Sequence, residues 1–459
     1  MGPVRGFLVA LVVLGVGCGS DSLPWTPVQD VDTEARNADN LTISWRENLI
    51  DDQRTGDVRL RGPHALAMGS LDGDGKPDIV TGYQDSRYLR VAYSTQDPAE
   101  KFLLTLAESD DALGIFDVAI GDVNGDGWQD VVAAGTNGIL YLQNPGQSKP
   151  GFRWQRIYPT VAKSQWLSID LVDLNGDGKP EIVGLKPFAI GEFPAMVRLI
   201  PGENLLDADA WTEETLANQE NAAFALPGDL DGDGDVDFFA GVSALGGVLW
   251  FRNVSSGPRI ALQAQSSLVE GFSGEIHSPT LADFSGDGLP DVAAALDVGL
   301  VVIFTQGAAT TQAWSYRTVG DLGLDGVAGL AAADIDGDGD NDLIVGSQGS
   351  GPSDKDKEVE PGEFNIGGPA GRIAWLQSPG SGTGAWIRHD IFRRERGRFS
   401  AFLPTDADGD GDIDVIGVRG NSGDLDGLFW LQQLHSPDAV VRLLPARRVS
   451  TESLALPLP

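Results

Sequence analysis

Short apolar runs separated by turn residues recur along almost the whole chain, and they recur in a fixed order. First comes a small run: FDVAIG, LSIDLV, FALPG, TLAD or LAAAD. Next stands a fuller one: DIVTGY, DVVAAG, EIVGLK, DFFAGV, DVAAAL, DLIVGS or DVIGVR. A third follows in LRVAYST, ILYLQN, VRLIPG, GVLWFRN, LVVIFTQ, RIAWLQS and LFWLQQ, and tryptophan marks a fourth in RWQRIYP, AWTEETLA, AWSYRTV and AWIRHDI. Runs of this length, rich in β-branched and aromatic residues and bounded by turn formers, predict strands. Four per repeat predict one small antiparallel sheet, which cannot bury both faces by itself. Seven sheets arranged radially bury their faces against one another. The expected fold is therefore all-β, a seven-bladed β-propeller of four-stranded blades over residues 42–447.

Between the first and second run of every repeat lies a nine-residue polar loop. It reads SLDGDGKPD (70–78), DVNGDGWQD (122–130), DLNGDGKPE (173–181), DLDGDGDVD (229–237), DFSGDGLPD (283–291), DIDGDGDND (334–342) and DADGDGDID (406–414). Internal repetition of this kind is an architectural signature. Oxygen-bearing side chains at positions 1, 3, 5 and 9, with Gly at position 6 to let the chain turn, suit Ca²⁺, a hard cation that takes six to eight oxygens. The candidate ligands are Ser70, Asp72, Asp74 and Asp78; Asp122, Asn124, Asp126 and Asp130; Asp173, Asn175, Asp177 and Glu181; and Asp229, Asp231, Asp233 and Asp237. They continue as Asp283, Ser285, Asp287 and Asp291; Asp334, Asp336, Asp338 and Asp342; and Asp406, Asp408, Asp410 and Asp414. Up to seven structural calcium ions are expected, the Ser70 loop binding most weakly.

The pattern leaves the ring one strand short at one end. TISWRENLI (42–50) looks like a fourth strand with nothing before it, and the seventh repeat has no tryptophan-marked fourth. Residues 42–50 then serve as the outer strand of the last blade; the alternative is AVVRLLP (439–445). The sixth repeat carries a polar insertion at 346–371 that explains the long interval before the last loop.

Loops of this type between the first two strands, with GxLxWxxN-like third strands and WxxxxI-like fourth strands, resemble FG-GAP/VCBS repeats over about residues 42–445. That family includes the calcium-binding blades of integrin α-subunit propellers and many bacterial surface proteins. The resemblance implies the propeller fold and Ca²⁺. It leaves the ligand open, because propellers host binders and enzymes alike.

Composition changes the picture in two respects. A formal charge of −35 argues against nucleic acid and against an anionic membrane surface as partners. Seven Ca²⁺ would offset part of it. The N-terminus has one basic residue, Arg5, then an apolar run from Phe7 to Val16 that is too short to span a bilayer and has the form of an export signal. LGVGC resembles a bacterial lipoprotein signal, which implies a signal peptide at 1–17 and a lipidated Cys18, although Gly15 stands where Leu is usual. The expectation is an outer-membrane or cell-surface lipoprotein, with a tether at 18–41, a tail at 448–459, no disulfide and contact with the membrane through the lipid alone.

Candidate chemistry is sparse. A nucleophile elbow, a phosphate-binding glycine loop and a His/Cys zinc constellation are all missing from the sequence. Of the four histidines, His389 is expected at the surface and His435 in a late loop. His64 and His277 each stand ten residues before the fifth-position Asp of their loops, where side chains can reach the central channel. Their counterparts are Phe116, Leu167, Ala223, Ala328 and Ser400. These two are the only catalytic candidates. The expected function is a monomeric, non-catalytic binding or adhesion propeller for a protein or glycan. The alternatives are a calcium-braced polysaccharide lyase or hydrolase at the channel mouth, and an envelope-complex scaffold.

Overall fold

The computed structural model describes residues 35–437, apart from 54, 56–57, 99, 148–152, 187–194, 219–221, 243–246, 257–258, 266–268, 270, 273, 298, 308–312, 350–370, 381–383, 395–396 and 423–425, together with the strand Leu454–Leu456. The signal segment, Cys18, the run at 439–445 and most of the insertion at 346–371 lie outside the described residues.

Seven antiparallel sheets follow one another along the chain. Blade 1 comprises Pro63–Gly69, Asp78–Tyr83, Tyr88–Ser94 and Lys101–Glu108; blade 2, Asp117–Gly121, Asp130–Gly135, Gly138–Gln143 and Gln155–Ile157; blade 3, Ser168–Val172, Glu181–Lys186, Ala195–Ile200 and Thr212–Asn218. Blade 4 comprises Ala222–Gly228, Asp237–Val242, Val248–Asn253 and Leu262–Gln265; blade 5, Ile276–Ala282, Asp291–Leu296, Leu300–Thr305 and Ser315–Asp321; blade 6, Gly329–Ala333, Asp342–Gly346, Gly371–Gln377 and Ile387–Arg394. Blade 7 has Phe402–Thr405, Asp414–Arg419 and Gly427–Ser436. The first strand of each blade lies innermost, and neighbouring first strands run side by side from blade 1 round to blade 7 and back.

Both faces of the second strands are covered, which is why Asp78–Tyr83, Asp130–Gly135 and Asp414–Arg419 are buried throughout while the outer Ser315–Asp321 alternates towards solvent. The core is divided rather than central. Seven apolar clusters form, one at each junction between neighbouring blades. The fourth-strand tryptophans Trp154, Trp211 and Trp314 are buried in them, as is Trp45. Burying large aromatic area at each junction is what converts seven marginal sheets into one ring.

The ring closes as the first of the two arrangements. Thr42–Asp52 pairs antiparallel with Gly427–Ser436 and becomes the outer strand of blade 7, with a bulge between Leu49 and Asp51. Two buried ion pairs hold it: Glu47 with Arg419 at 2.8 Å, and Asp51 with Arg90 of blade 1 at 2.6 Å. Leu454–Leu456 adds a short fifth strand outside it.

Candidate metal centres and the channel

Each polar loop joins the inner strand to the second strand of its blade, and all seven share one set of hydrogen bonds. The N–H of position 6 donates to the side chain of position 1 in every loop, at 2.7–3.2 Å, with Ser70 Oγ standing in for a carboxylate in blade 1. The N–H of position 7 donates to the fifth-position Asp in every loop, at 2.8–3.2 Å. The glycines at positions 4 and 6 both lie at positive φ, 73–81° and 83–96° respectively. The chain thus needs two glycines to curl its amides inward around the side-chain oxygens, one more than the position-6 argument identified.

This curl aims carboxylates at a common point. In blades 4, 6 and 7 one oxygen from each of positions 1, 3 and 5 lies within 4.8 Å of the others: Asp229, Asp231 and Asp233; Asp334, Asp336 and Asp338; Asp406, Asp408 and Asp410. Oxygens sharing one Ca²⁺ at about 2.4 Å must lie within about 5 Å of each other, so the donor sets fit that ion. Asp334 Oδ1 is buried without a hydrogen-bond partner. In blade 2 the amide of Asn124 instead turns its nitrogen onto Asp126 at 2.9 Å.

The ninth position does something further. Asp78, Asp130, Asp237, Asp291, Asp342 and Asp414 have no exposed surface. In blade 1, Asp78 Oδ2 accepts the N–H of Leu71 at loop position 2, and Oδ1 accepts the N–H of Ser94 at the end of the third strand. The third-strand bond recurs from Asn144, Asn253, Gln306, Ser378 and Gln433. Burial pushes these carboxyls up, to about 6 for Asp78, Asp130, Asp237 and Asp291, about 7 for Asp414 and about 8 for Asp342. Blade 3 departs in a correlated way. Its third strand is followed by Pro201, which has no N–H to give, and its ninth residue is the longer Glu181, bonded to Leu174 N and Asn175 Nδ2.

The residue whose N–H holds the ninth-position Asp also ties its blade to the one before. Asn144 Nδ2 donates to Leu71 O of blade 1, and Asn253 Nδ2 to Leu174 O of blade 3. Gln306 Nε2 reaches Leu230 O of blade 4, and Gln433 Nε2 reaches Ile335 O of blade 6. The signal was present in the sequence as the N or Q ending the third-strand runs.

The histidines fall on blades 1 and 5, which are not neighbours. His64 Nδ1 lies 3.0 Å from Phe116 O, and its ring meets Phe116 edge-on. His277 Nε2 lies 3.6 Å from Asp297, and its Nδ1 lies 3.3 Å from Ser278 Oγ. Ser278 has φ 48° and donates its hydroxyl to Ala328 O at 2.7 Å. Burial lowers both histidines, and the charge of Arg398 lowers both further. His389 is not a free surface group: it stacks on Trp375 at 4.6 Å. His435 lies in the third strand of blade 7, opposite Ile43, and not in a loop.

Two carboxylates that the sequence pattern did not mark lie on inner strands of adjacent blades. Asp117 of blade 2 accepts the Ile169 N–H of blade 3 at 3.0 Å, and burial pushes it to about 6. Burial, and then the charge of Asp117, hold Asp170 well above the usual carboxylate range.

Comparison with known proteins bears on the repeat. No curated protein matches the chain. Among solved structures, an Agrocybe aegerita lectin described as recognising non-reducing terminal N-acetylglucosamine is 15% identical, over 87% of this chain and 98% of its own, with a TM-score of 0.48. BBS1N, in a complex with ARL6DN, is 13% identical over 86% and 98%, with a TM-score of 0.48. YCF48 from Cyanidioschyzon merolae is 10% identical over 86% and 99%, again at 0.48. A family profile for FG-GAP-like repeats matches residues 70–133, 122–184, 229–294 and 283–345. Each match begins on the first residue of a polar loop and runs into the next blade. With just over half its length matched in this way and every match falling on a blade of the ring, the chain belongs to the FG-GAP-like repeat family.

Proposed function

We propose that the chain is an exported, calcium-braced propeller that binds a protein or glycan through one face of the ring and carries out no chemistry of its own. One observation carries this reading: the same loop, its amides curled onto the side-chain oxygens of positions 1 and 5, is built seven times at the turn between the first two strands, with its acids engaged in holding backbone. A site repeated at every blade serves the frame. The residues at positions 1, 3, 5 and 9 of each loop would supply oxygens to bound calcium, whose positive charge would offset the negative charge of their carboxylates, and Cys18 would carry the lipid anchor. Ligands that bind the folded state alone stabilise it by mass action. Calcium-loaded protein should therefore melt at a higher temperature than protein in EDTA, and the midpoint should rise with free calcium. An unchanged midpoint would sink the calcium brace. Screening the soluble ring against glycans and surface proteins, with and without calcium, tests the binding role.

A hydrolase is the second reading, and a specific cluster favours it: His277 lies 3.3 Å from Ser278 Oγ and 3.6 Å from Asp297 at the start of the blade 5 inner strand, with Ser278 in a strained backbone conformation. The Ser278 hydroxyl would have to turn from Ala328 O to His277 to be activated. Polysaccharide cleavage that disappears in Ser278→Ala and His277→Ala, with folding intact, would replace the binding reading with this one.

A further inference from the structure

In blades 4, 6 and 7 the residue just before the third-strand Asn253, Ser378 or Gln433 faces the cage of its own blade. In blade 6 it is Gln377, whose Nε2 donates to the third-position Asp336 at 2.6 Å. In blade 7 it is Gln432, bonded to the third-position Asp408 at 2.7 Å. In blade 4 the same place holds Arg252. Its Nε lies 2.6 Å from Asp231 Oδ2 and its Nη2 lies 3.2 Å from Asp233 Oδ2. The guanidinium therefore bridges the third and fifth carboxylates, the pair that a central cation would bridge. The Asp231 side chain is 1% exposed, while Arg252 at 35% and Asp233 at 36% remain open to solvent on the outer side of the contact.

We infer that Arg252 is the resident cation of the blade 4 loop, which closes that cage without metal and makes it the poorest calcium site of the three all-aspartate loops. This rests on the calcium reading above. From sequence, Asp229, Asp231, Asp233 and Asp237 form one of the richest acidic sets in the chain. The structure inverts that ranking. A divalent ion entering blade 4 must displace or approach a fixed positive charge, whereas in blades 6 and 7 it meets a neutral amide. Like charges a few ångströms apart repel, and the guanidinium hydrogen-bonds Asp233 while its Nε stands within ion-pair distance of Asp231. Calcium depletion should then loosen the ring unevenly: the loops of blades 6 and 7 open while that of blade 4 stays shut.

The test counts calcium on the purified full chain, by native mass spectrometry and equilibrium dialysis across a range of free calcium. Arg252→Gln copies blades 6 and 7 and should take up one more ion than the parent protein, or bind that ion at least about tenfold more tightly. Arg252→Lys keeps the charge and should bind as the parent does. Gln432→Arg installs the device in blade 7 and should lose one ion. Hydrogen exchange in EDTA gives a readout that needs no metal: Gly232 and Gly234 should stay protected relative to Gly409 and Gly411, and lose that protection in Arg252→Gln. Calcium binding by the parent protein with no gain in Arg252→Gln overturns this inference and leaves the calcium brace standing. No calcium on the parent or on any variant removes both.

Discussion

Asp170 is an inner-strand carboxyl held well above the usual carboxylate range. It stands at a register where the other six blades place Ala67, Ala119, Leu226, Thr280, Ala331 and Leu403. Burial and the nearby Asp117 raise its carboxyl in the folded protein. Where a folded carboxyl is raised, the native state holds a proton that the unfolded chain has released. Stability then falls as pH climbs from the unfolded value, near 4, through the folded value, and the cost is absent below that window. Asp170→Ala should therefore raise the melting midpoint at pH 8, gain progressively less as pH is lowered, and match the parent near pH 3.5. A variant less stable than the parent at pH 8 would mean that Asp170 makes a favourable interaction that outweighs its burial. His64 teaches the complementary lesson. Its place on the inner strand was legible from its spacing, but its bond to Phe116 O, in the next blade, was not.

At the scale of the blade, the reading from sequence succeeded where the signal is short-range. A nine-residue loop and a strand of six residues carry their own turn and burial patterns, so the loops and the strand order were legible as a repeat. Contacts between blades were not, because they join residues far apart in sequence. Asn253 shows what was missed. Its backbone N–H holds Asp237 at 2.6 Å, while its Nδ2 reaches Leu174 O in blade 3 and Val236 O in its own blade, both at 3.1 Å. Its side chain is buried, so Asn253→Ala leaves carbonyls without their donor. The loss should be about 1–3 kcal/mol in urea denaturation. Ser378 occupies the matching place in blade 6 with a side chain too short for such a bridge, and Ser378→Ala should cost less than about 1 kcal/mol. Equal losses at the two positions would show that the inter-blade bond is not what stabilises the junction. Arg252 was hidden for a related reason: its role depends on which way a third-strand side chain points, and the strand pattern alone is silent on that.

At the scale of the molecule, stability hinges on the strand that is out of sequence order. Six blades are built from consecutive strands, and the seventh depends on Thr42–Asp52 returning to Gly427–Ser436. Apolar packing alone could close a ring, yet two ion pairs are buried at this seam. Asp51 is the informative one, because its partner Arg90 lies across the junction in blade 1, and Tyr83 Oη adds a bond at 3.2 Å. Burial raises the Asp51 carboxyl even beside that guanidinium, a sign that desolvation is the larger influence on it. Breaking such a pair strands one charge out of water, whereas removing both charges together relieves the desolvation of each. Asp51→Ala and Arg90→Met should each destabilise the ring by about 3–5 kcal/mol. The double variant should lose clearly less than the sum, because neither remaining group is left charged and unpaired. Urea denaturation of the four proteins measures this coupling directly. Additive losses would show that the two charges act separately, and that the closing strand is held by its hydrogen bonds, by the Glu47–Arg419 pair and by the apolar packing of Ile43, Trp45 and Ile50.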